Sequence, residues 1–520
     1  MGKRVTSDNM LNCYVLYSFS MFPLVLSKER KMANFNKNVK AKTTTSYEGG
    51  TVYEKNTVED WLNFLMSCML EDRFYENGSE QTERYIELTE KMAELYGNEF
   101  IAKASMFARN ELGMRSIAQL TAAWLNNKTF DGKRRYFKKF CHRADDVAET
   151  FAAIEMLGQK RSHATVRGFG DYLSGLSEYA IDKYKMDGKS YNMFDCINIC
   201  HPKSNAVDAY KDGTIESAGT WEQKISASTS NEDKANKWFE LVMCGELGYL
   251  ALLRNLRNIF DSIEYLDAEY HKDYTENVFA QLTNEHAIRK SLVFPYQIYS
   301  AYKALCDAGM TRLDLMSALS DAFVISVQNM PKLDGDNVIM LDVSGSMEDR
   351  ISKNSSITIK EAGAVYAAAI FYMNPDNTTI IKFGTDAKIA KPNRNANVFD
   401  LVNYIQANEN LGYGTQIDSA FNKLTWSCDR IFLISDMQIM SSRSYWGDCD
   451  GTKTYNEYVG RYGDCKMYSF DLGNYHTQVA NPKNQNVHLF TTLSSKVFDF
   501  IELKESNVNI VDYINENYCY

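Results

Sequence analysis

The chain has 520 residues, of which 45% are hydrophobic and 24% are charged, and it contains only seven prolines. This composition predicts a folded protein of two or three domains and excludes a chain made mostly of disordered segments. The formal net charge of -10 excludes a protein that binds polyanions over its whole surface.

The first 45 residues predict a leader and an arm. A basic start and the short apolar run "LNCYVLYSFSMFPLVL" are typical of a signal peptide, but no A-x-A-like cleavage site follows. We therefore expect translation to start at Met32, with a genuine export signal as the alternative. The polar, basic residues 33–56 indicate an arm or an extended strand, and no other segment is long and apolar enough to span a membrane.

The cysteines indicate a reducing, cytoplasmic location. There are eleven of them, scattered along the chain without a CxxC pair. The densest group, Cys196, Cys200 and His201, lacks the fourth ligand that a zinc site needs. We interpret these cysteines as structural.

Residues 46–330 predict a domain of short amphipathic helices. Apolar residues recur at the spacing of one helical face, at Tyr85, Leu88, Met92 and Leu95. Gly97 follows at a position typical of a helix C-terminus. Short helices joined by tight turns indicate a solenoid of stacked hairpins, with a compact bundle as the alternative. The polar residues 204–235 predict a loop-rich insertion.

A basic belt interrupts this otherwise acidic domain. Residues 103–167 carry 13 Lys and Arg against 6 Asp and Glu, whereas the rest of 46–330 carries 19 against 36. Such a contrast is typical of a nucleic-acid contact surface, with a solvated helix face as the alternative. The candidate RNA-binding residues in the belt are Lys133, Arg134, Arg135, Lys138, Lys139, Arg143, Lys160, Arg161 and Arg167.

Aromatic residues are interleaved with these cations. Tyr136, Phe137 and Phe140 fit base stacking on exposed rings, or equally the core side of the same helix. The sequence leaves both interpretations open.

Residues 335–520 predict a doubly wound α/β domain. Short apolar runs at 337–342, 379–383, 430–436 and 466–472 alternate with helical stretches such as 359–373. Ligands bind such sheets beyond the carboxyl ends of the strands.

Hydroxyl and carboxylate side chains gather at those predicted strand ends. Asp342, Ser344 and Ser346 follow the first strand in "LDVSGSM", Thr415 lies in "GYGTQID", and Asp436 closes "FLISD". These hard oxygen donors suit Mg²⁺ or another divalent cation. A turn-capping role is the alternative for the D-x-S-x-S motif taken alone. No nucleophile–base pair accompanies the set, so we do not expect an enzyme.

These five residues resemble the metal-ion-dependent adhesion site of von Willebrand factor A domains. The order of the whole chain resembles the Ro autoantigen and its bacterial and phage relatives, the TROVE-domain proteins. The stretches that carry this resemblance are "YEGGTVY", "DKYKMDGKSYNMFDCINICHPK", "ELGYLALLRNLRNI", "LVFPYQIYSAYKAL", "LDVSGSM", "GYGTQID" and "LISDMQI".

The resemblance implies a HEAT-like α-helical solenoid that the von Willebrand factor A-like domain closes into a monomeric ring. It further implies binding of small non-coding, Y-like RNA on the outer surface and of single-stranded ends of misfolded RNA in the central hole. RNA quality control follows, or tethering of an exoribonuclease through RNA. The family's RNA contacts match Lys183 and His201, whereas Asp187 stands where the family has a second basic residue.

A second function remains open from the sequence. The chain could be a Mg²⁺-dependent adhesion module without an RNA role, in which an acidic protein ligand completes the metal shell. Metal-sensitive partner capture without copurifying RNA would distinguish it from the RNA-binding ring.

Overall fold

Amphipathic spacing produces a series of helices in the first part of the chain. They are α1 (Thr57–Ser67), α2 (Gly78–Asn110), α3 (Ser116–Leu125), α4 (Lys133–Phe140), α5 (Asp145–Met156), α6 (His163–Leu173), α7 (Glu178–Lys183), α8 (Met193–Cys200), α9 (Asn205–Lys211), α10 (Trp221–Ser226), α11 (Asn231–Met243), α12 (Tyr249–Asp261), α13 (His271–Leu282), α14 (Glu285–Ser291), α15 (Pro295–Asp307) and α16 (Leu313–Val327), with a 3-10 turn at Ser262–Tyr265.

The computed structural model describes residues 42–46, 48–67, 70, 77–215, 217–330, 332–351, 355–440, 451–473, 475, 477–481, 484, 486–490, 498, 501, 505 and 509–520. The predicted leader and the predicted start at Met32 lie outside these residues. The described residues all belong to one packed unit, Ala41–Tyr520. Within them, no helix is apolar over a length that could cross a bilayer.

Helix α2 is two helices joined at Gly97, whose φ of 81° lies in the region that glycine adopts at little cost. The predicted apolar face is buried at Tyr85, Leu88 and Met92, but Leu95 is 62% exposed. The face therefore ends before the break, since the chain leaves the helix two residues after Leu95.

The prediction of a loop-rich insertion at 204–235 is wrong. This stretch contains α9, α10 and the start of α11. Each begins at a hydroxyl cap, because the side chains of Ser204, Thr220 and Ser230 accept from backbone N–H groups of the first turn. The polar residues that suggested loops are thus N-caps and exposed helix faces.

The second part of the chain is a mixed, mostly parallel sheet with helices, as predicted. Its strands are β3 (Asn337–Asp342), β4 (Thr378–Phe383), β5 (Ala387–Ile389), β6 (Arg430–Ser435), β7 (Lys466–Asp471) and β9 (Val487–Phe490). Its helices are a 3-10 turn at Ser346–Glu348, α17 (Ile359–Met373), α18 (Val398–Gln406), α19 (Ile417–Lys423), α20 (Gly451–Tyr462) and α21 (Ile510–Asn517).

The strands follow the order β5-β4-β3-β6-β7-β9, and only β5 is antiparallel. Residues of β3 alternate between two apolar clusters: Ile339 and Leu341 join the one that contains α17, whereas Val338 and Met340 join the one that contains α19. Helices therefore cover both faces. The chain continues from β3 to β4 on one side and returns to β6 on the other, which makes the carboxyl end of β3 a switch point.

An N-terminal hairpin joins the α/β part. Strands β1 (Thr43–Thr45) and β2 (Thr51–Glu54) are antiparallel, and β2 pairs with β8 (Thr477–Gln478). The Gly50 N–H also donates to the Ile439 carbonyl at 3.0 Å. The residues immediately before α1 are thus fixed to the α/β part.

The C-terminus also returns to the first helices. Helix α21 packs against α2, and the Tyr518 ring lies 5.3 Å from the Phe107 ring. The last residue, Tyr520, lies with its ring 5.4 Å from that of Tyr136 in α4.

The last helices of the series contact the α/β part through α15. Lys303 Nζ lies 2.7 Å from a Glu361 carboxylate oxygen, and the Tyr302 and Phe399 rings stack at 3.8 Å. Both the beginning and the end of the helical series therefore contact the same α/β part.

Candidate metal centre and nucleic-acid interface

Two buried carboxylates lie side by side at the carboxyl edge of the sheet. Asp342 is the last residue of β3, and Asp436 directly follows β6, which pairs in parallel with β3. Both are at most 1% exposed. Parallel register alone brings these two predicted ligands together, because neighbouring strands end at the same edge.

The loop after β3 supplies the two hydroxyls. Ser344 N–H donates to Asp342 Oδ1 at 2.9 Å, and the hydroxyl oxygens of Ser344 and Ser346 are 3.4 Å apart. The Ser346 hydroxyl also hydrogen-bonds the Asp436 carboxylate. The structure thus brings four predicted ligands into one hydrogen-bonded group, and Ser435 completes it by donating to Asp342 Oδ2 at 2.6 Å.

The loop that carries Thr415 is fixed to the same place. The Gly345 N–H donates to the Tyr413 carbonyl at 2.9 Å, and the Met440 N–H donates to the Thr415 carbonyl at 3.1 Å. Thr415 itself is 4% exposed. The sharp turn before it depends on Gly412, which has a φ of 82° and whose Cβ position would lie 2.5 Å from Thr385 Oγ1.

The electrostatics of this group suit a cation. Burial raises the pKa of Asp342 to about 6. Burial, and then the negative charge of Asp342, raise the pKa of Asp436 to about 7. In the described residues no basic group forms an ion pair with either carboxylate. A divalent cation would offset both charges, so the donor set fits Mg²⁺.

Hydroxyl ligands are essential to this fit. Within the described ranges, no group of three or more His, Cys, Asp or Glu side chains is placed to hold a metal. The two carboxylates would need the serine and threonine hydroxyls, together with water, to complete an octahedral shell.

The basic belt is built on α4, whose aromatic residues face inward. Tyr136, Phe137 and Phe140 are 0% exposed, so these rings belong to the core and are not available for base stacking. The cations Arg134, Arg135, Lys138 and Lys139 are exposed on the opposite face.

Close packing of α6 against α4 extends the exposed cations across two helices. A Cβ atom at Gly168 would lie 2.5 Å from the Arg134 carbonyl oxygen, so only glycine allows this contact. Arg134 forms a bidentate pair with Asp171 of α6, at 2.7 Å for both bonds. Arg167 is exposed one turn before Asp171, and among the described residues neither Arg167 nor Lys138 forms a salt bridge.

Three other predicted cations are partly engaged within the protein. Lys133 Nζ donates to the Lys128 carbonyl at 2.8 Å, and burial lowers its pKa. Arg143 pairs with Asp145 at 2.8 Å. Arg161 lies over the rings of Phe151 and Tyr191, 5.2 Å from each centre.

Lys160 is exposed in the turn before α6. Its backbone carbonyl accepts from Asn126 Nδ2 at 2.9 Å, which fixes the turn and leaves the ammonium group in solvent.

The two residues matched through the family lie further along. Lys183 ends α7 and lies 5.7 Å from the Tyr179 ring centre, whereas His201 follows α8 in a left-handed conformation. A Cβ at Gly170 of α6 would lie 2.8 Å from the Cys200 carbonyl oxygen, so His201 stands beside α6.

The sequence analysis missed two exposed aromatic residues in this region. Tyr179 is 50% exposed and Phe194 is 49% exposed. Their exposure depends on which helix face is covered by its neighbours, and helical spacing alone does not show that. They are better candidates for stacking on bases than the buried rings of α4.

The comparisons with known proteins agree with this architecture. The TROVE domain family model matches residues 201–314. The crystal structure of the Deinococcus radiodurans RO (RSR) protein has a similar fold, with a TM-score of 0.61 and 15% identity, over 87% of this chain and 100% of that chain. No match was found among curated proteins.

The resemblance to the TROVE-domain family is confirmed. The part of this chain matched by the TROVE model begins at His201 and ends at Asp314, early in α16. The exposed cations of α4 and α6 precede that segment. The predicted limits of 46–330 and 335–520 for the two domains stay a prediction.

Proposed function

We propose that this Ro-like chain is a non-catalytic RNA-binding protein of the cytoplasm. In this proposal it binds small, structured non-coding RNA of the Y-like kind on its basic belt, and single-stranded ends of misfolded RNA in a central hole. Its role would be RNA quality control, or tethering of an exoribonuclease through the bound RNA. The observation that carries the proposal is the continuous set of exposed cations on α4 and α6 in a chain with a Ro-like fold.

The charge of these helices supports RNA as the ligand. Arg134 and Lys138 on α4 lie beside Arg167 on α6, on a protein whose net charge is negative. A local group of cations on an acidic body directs a polyanion to one surface and away from the rest.

Closure of the helical series into a monomeric ring is supported by contacts at both of its ends. The α/β part contacts the first helices through β2 and Tyr520 and the last helices through Lys303 and Tyr302. A chain whose two ends meet on one α/β domain has the connectivity that a central hole requires.

We further propose that Asp342, Ser344, Ser346, Thr415 and Asp436 form a metal-ion-dependent adhesion site in a von Willebrand factor A-like domain. When bound there, Mg²⁺ would supply a Lewis-acidic position for a carboxylate oxygen of an acidic protein partner. The carboxylates would offset the charge of the ion, and the Ser344 and Ser346 hydroxyls are oriented by hydrogen bonds to Asp342 and Asp436.

RNA binding is tested by fluorescence anisotropy with a hairpin RNA that carries a single-stranded 3′ tail. Alanine at Arg134, Arg135, Lys138, Lys139 and Arg167 should weaken binding and reduce the slope of log affinity against log salt by up to about 4. The matched control replaces five cations that form salt bridges elsewhere: Lys224, Arg257, Lys272, Arg289 and Arg312.

The control variant removes the same formal charge and should bind nearly as well as wild type. Equal losses in the two variants would show that net charge, and not the belt, governs binding. No binding by wild type would refute the RNA proposal itself.

A Mg²⁺-dependent adhesion module is the second candidate, because one exposed aromatic residue stands beside the metal centre. Tyr413 is 77% exposed, and its carbonyl accepts from the Gly345 N–H between the two ligand serines. Exposed tyrosines are enriched at protein interfaces. Partner capture that EDTA abolishes, and that Asp342→Ala also abolishes, would support this function; its persistence in EDTA would refute it.

A further inference from the structure

A buried lysine lies one strand away from the metal centre. Lys55 stands between β2 and α1, and its side chain is 0% exposed. Its ammonium nitrogen lies 2.7 Å from Asp471 Oδ2, and the Asp471 side chain is also 0% exposed. A lysine is buried so completely only when a partner offsets its charge.

The partner of Lys55 belongs to the same edge of the sheet as the metal ligands. Asp471 ends β7 and pairs in register with Ser435, the residue before Asp436. Gly473 touches both carboxylate residues: its N–H donates to Asp471 Oδ1 at 3.0 Å, and its Cβ position lies 3.1 Å from Asp436 Cβ. Three neighbouring strands thus each have a buried carboxylate at their carboxyl end, either as the last residue (Asp342, Asp471) or as the next one (Asp436).

The charges of the described residues in this region sum to a value that a divalent ion offsets. Asp342, Asp436 and Asp471 together carry three negative charges, and each is at most 1% exposed. Among the described residues, Lys55 pairs with Asp471 and supplies one positive charge, so the sum over these four side chains is two negative charges. A divalent cation brings the group to neutrality, which is the favourable state at low dielectric.

We propose that Lys55 is a specificity-determining positioning residue of the metal centre, which sets its preference for divalent over trivalent cations by neutralising Asp471. Lys55 does not touch the ion. It acts through the charge that the ion experiences, and it makes the segment before the first helix part of the centre. This proposal rests on the proposed metal centre at Asp342 and Asp436.

The hairpin that carries Lys55 explains how a lysine reaches this position. Strand β2 pairs with β8, and the first residue of β8, Thr477, comes six residues after Asp471. The Ser46 hydroxyl and the Gly50 N–H both donate to the Ile439 carbonyl, in the loop that follows Asp436. The backbone just before Lys55 is therefore fixed to the α/β part, and the pair with Asp471 holds its ammonium group at this edge of the sheet.

The test compares Mg²⁺ and Tb³⁺ binding to the full chain by isothermal titration calorimetry at pH 8. Lys55→Gln leaves one more negative charge at the centre and should raise the ratio of Tb³⁺ to Mg²⁺ affinity by roughly tenfold or more. Asp471→Asn makes the opposite change and should lower the ratio by a similar factor. The double variant K55Q/D471N removes both charges and should restore the wild-type ratio.

These arms separate the electrostatic role from a structural one. A loosened hairpin would change the affinity for both ions, and its effect on the ratio of Tb³⁺ to Mg²⁺ affinity would not have opposite signs in the two single variants. An unchanged ratio in both single variants, or a raised ratio in the double variant, overturns the role of Lys55. If wild type binds neither ion in a manner that Asp342→Ala abolishes, the metal centre itself is refuted. If K55Q does not fold, Asp471→Asn still tests whether the ratio of Tb³⁺ to Mg²⁺ affinity falls as expected.

Discussion

Replacing Asp146 by alanine should weaken the helical layer beneath the basic belt by about 3–5 kcal/mol, the usual cost of leaving one partner of a buried ion pair alone. Asp146 in α5 is fully buried and lies 2.8 Å from Arg109 Nη2, which belongs to α2. It also accepts from Gln119 of α3 at 2.9 Å and from the His142 and Arg143 N–H groups at 3.0 Å.

The magnitude follows from what the variant leaves behind. Arg109 is 6% exposed, so water cannot replace the lost carboxylate around its guanidinium group. The buried Gln119 amide loses an acceptor as well, and an unsatisfied buried donor costs about 1–3 kcal/mol. The part-buried N–H groups of His142 and Arg143 also lose their acceptor, but water can reach them. Relaxation and water entry offset part of that sum, which is why the expected loss stays near the value for one buried pair.

The assay is hydrogen exchange of the amides in α3 and α5, measured by mass spectrometry. A loss of about 3 kcal/mol in local stability corresponds to exchange faster by a factor of roughly 100 or more. The matched control is Asp145→Ala: its pairs with Arg115 and Arg143 involve arginines that are 39% and 42% exposed. Such pairs are worth about 0–1 kcal/mol. Equal effects of the two variants would refute the argument from burial.

The same carboxylate gives a pH dependence with a definite sign. Burial raises the pKa of Asp146, but the hydrogen bond and charge of Arg109, with the N–H groups of Arg143 and His142, outweigh burial and hold the pKa below its ordinary value. The stabilisation is therefore complete above the unfolded pKa of about 3.9 and is lost as the pH falls through the lower folded value. The difference between wild type and D146N should be constant from neutral pH to about pH 5 and should shrink below pH 4.

Three further outcomes are expected. Asp171→Asn should raise RNA affinity roughly two- to fivefold, because it removes the ion pair that holds Arg134. The control Asp131→Asn should change the affinity less, because the Asp131 carboxylate accepts from the Gly132 N–H and forms no salt bridge with a described residue. Gly168→Ala should destabilise the contact between α4 and α6 by about 1–3 kcal/mol in thermal or chemical denaturation, whereas Gly460→Ala, with open space around its Cβ position, should be neutral or slightly stabilising. Tyr520→Ala should increase hydrogen exchange in α21 and α4, since its ring packs on Phe130 and Tyr136, and the exposed control Tyr413→Ala should leave both helices unchanged.

Local patterns were enough to predict the α/β part. The first strand and the long helix after it were predicted at 337–342 and 359–373, which are the observed bounds of β3 and α17. Continuous apolar runs define buried parallel strands, and the strand ends then place Asp342 and Asp436 together without further information.

Features that depend on distant parts of the chain were not predictable in this way. Strand β2 pairs with β8, which lies more than 400 residues later in the chain. The two strands have four and two residues, and segments this short do not indicate which strand they pair with. Lys55 looked like one more basic residue of a polar arm, and only the fold shows that it is buried against Asp471. The buried rings of α4 show the same limit, because spacing gives the face of a helix but not which face is covered.

The N-terminal hairpin and the C-terminal residues make different kinds of contact, and the difference bears on how each responds to a metal ion. Tyr518 and Tyr520 attach through apolar ring contacts, which salt and metal ions hardly affect. The N-terminal hairpin attaches through backbone hydrogen bonds and also through Lys55, which pairs with a carboxylate beside the metal ligands. Part of its docking energy therefore depends on the charge at that edge of the sheet. Any coupling between metal binding and docking of the hairpin must therefore be reciprocal, whereas the C-terminal ring contacts should not respond to a metal ion. Mg²⁺ should slow hydrogen exchange at Gly50 and leave exchange in α21 unchanged.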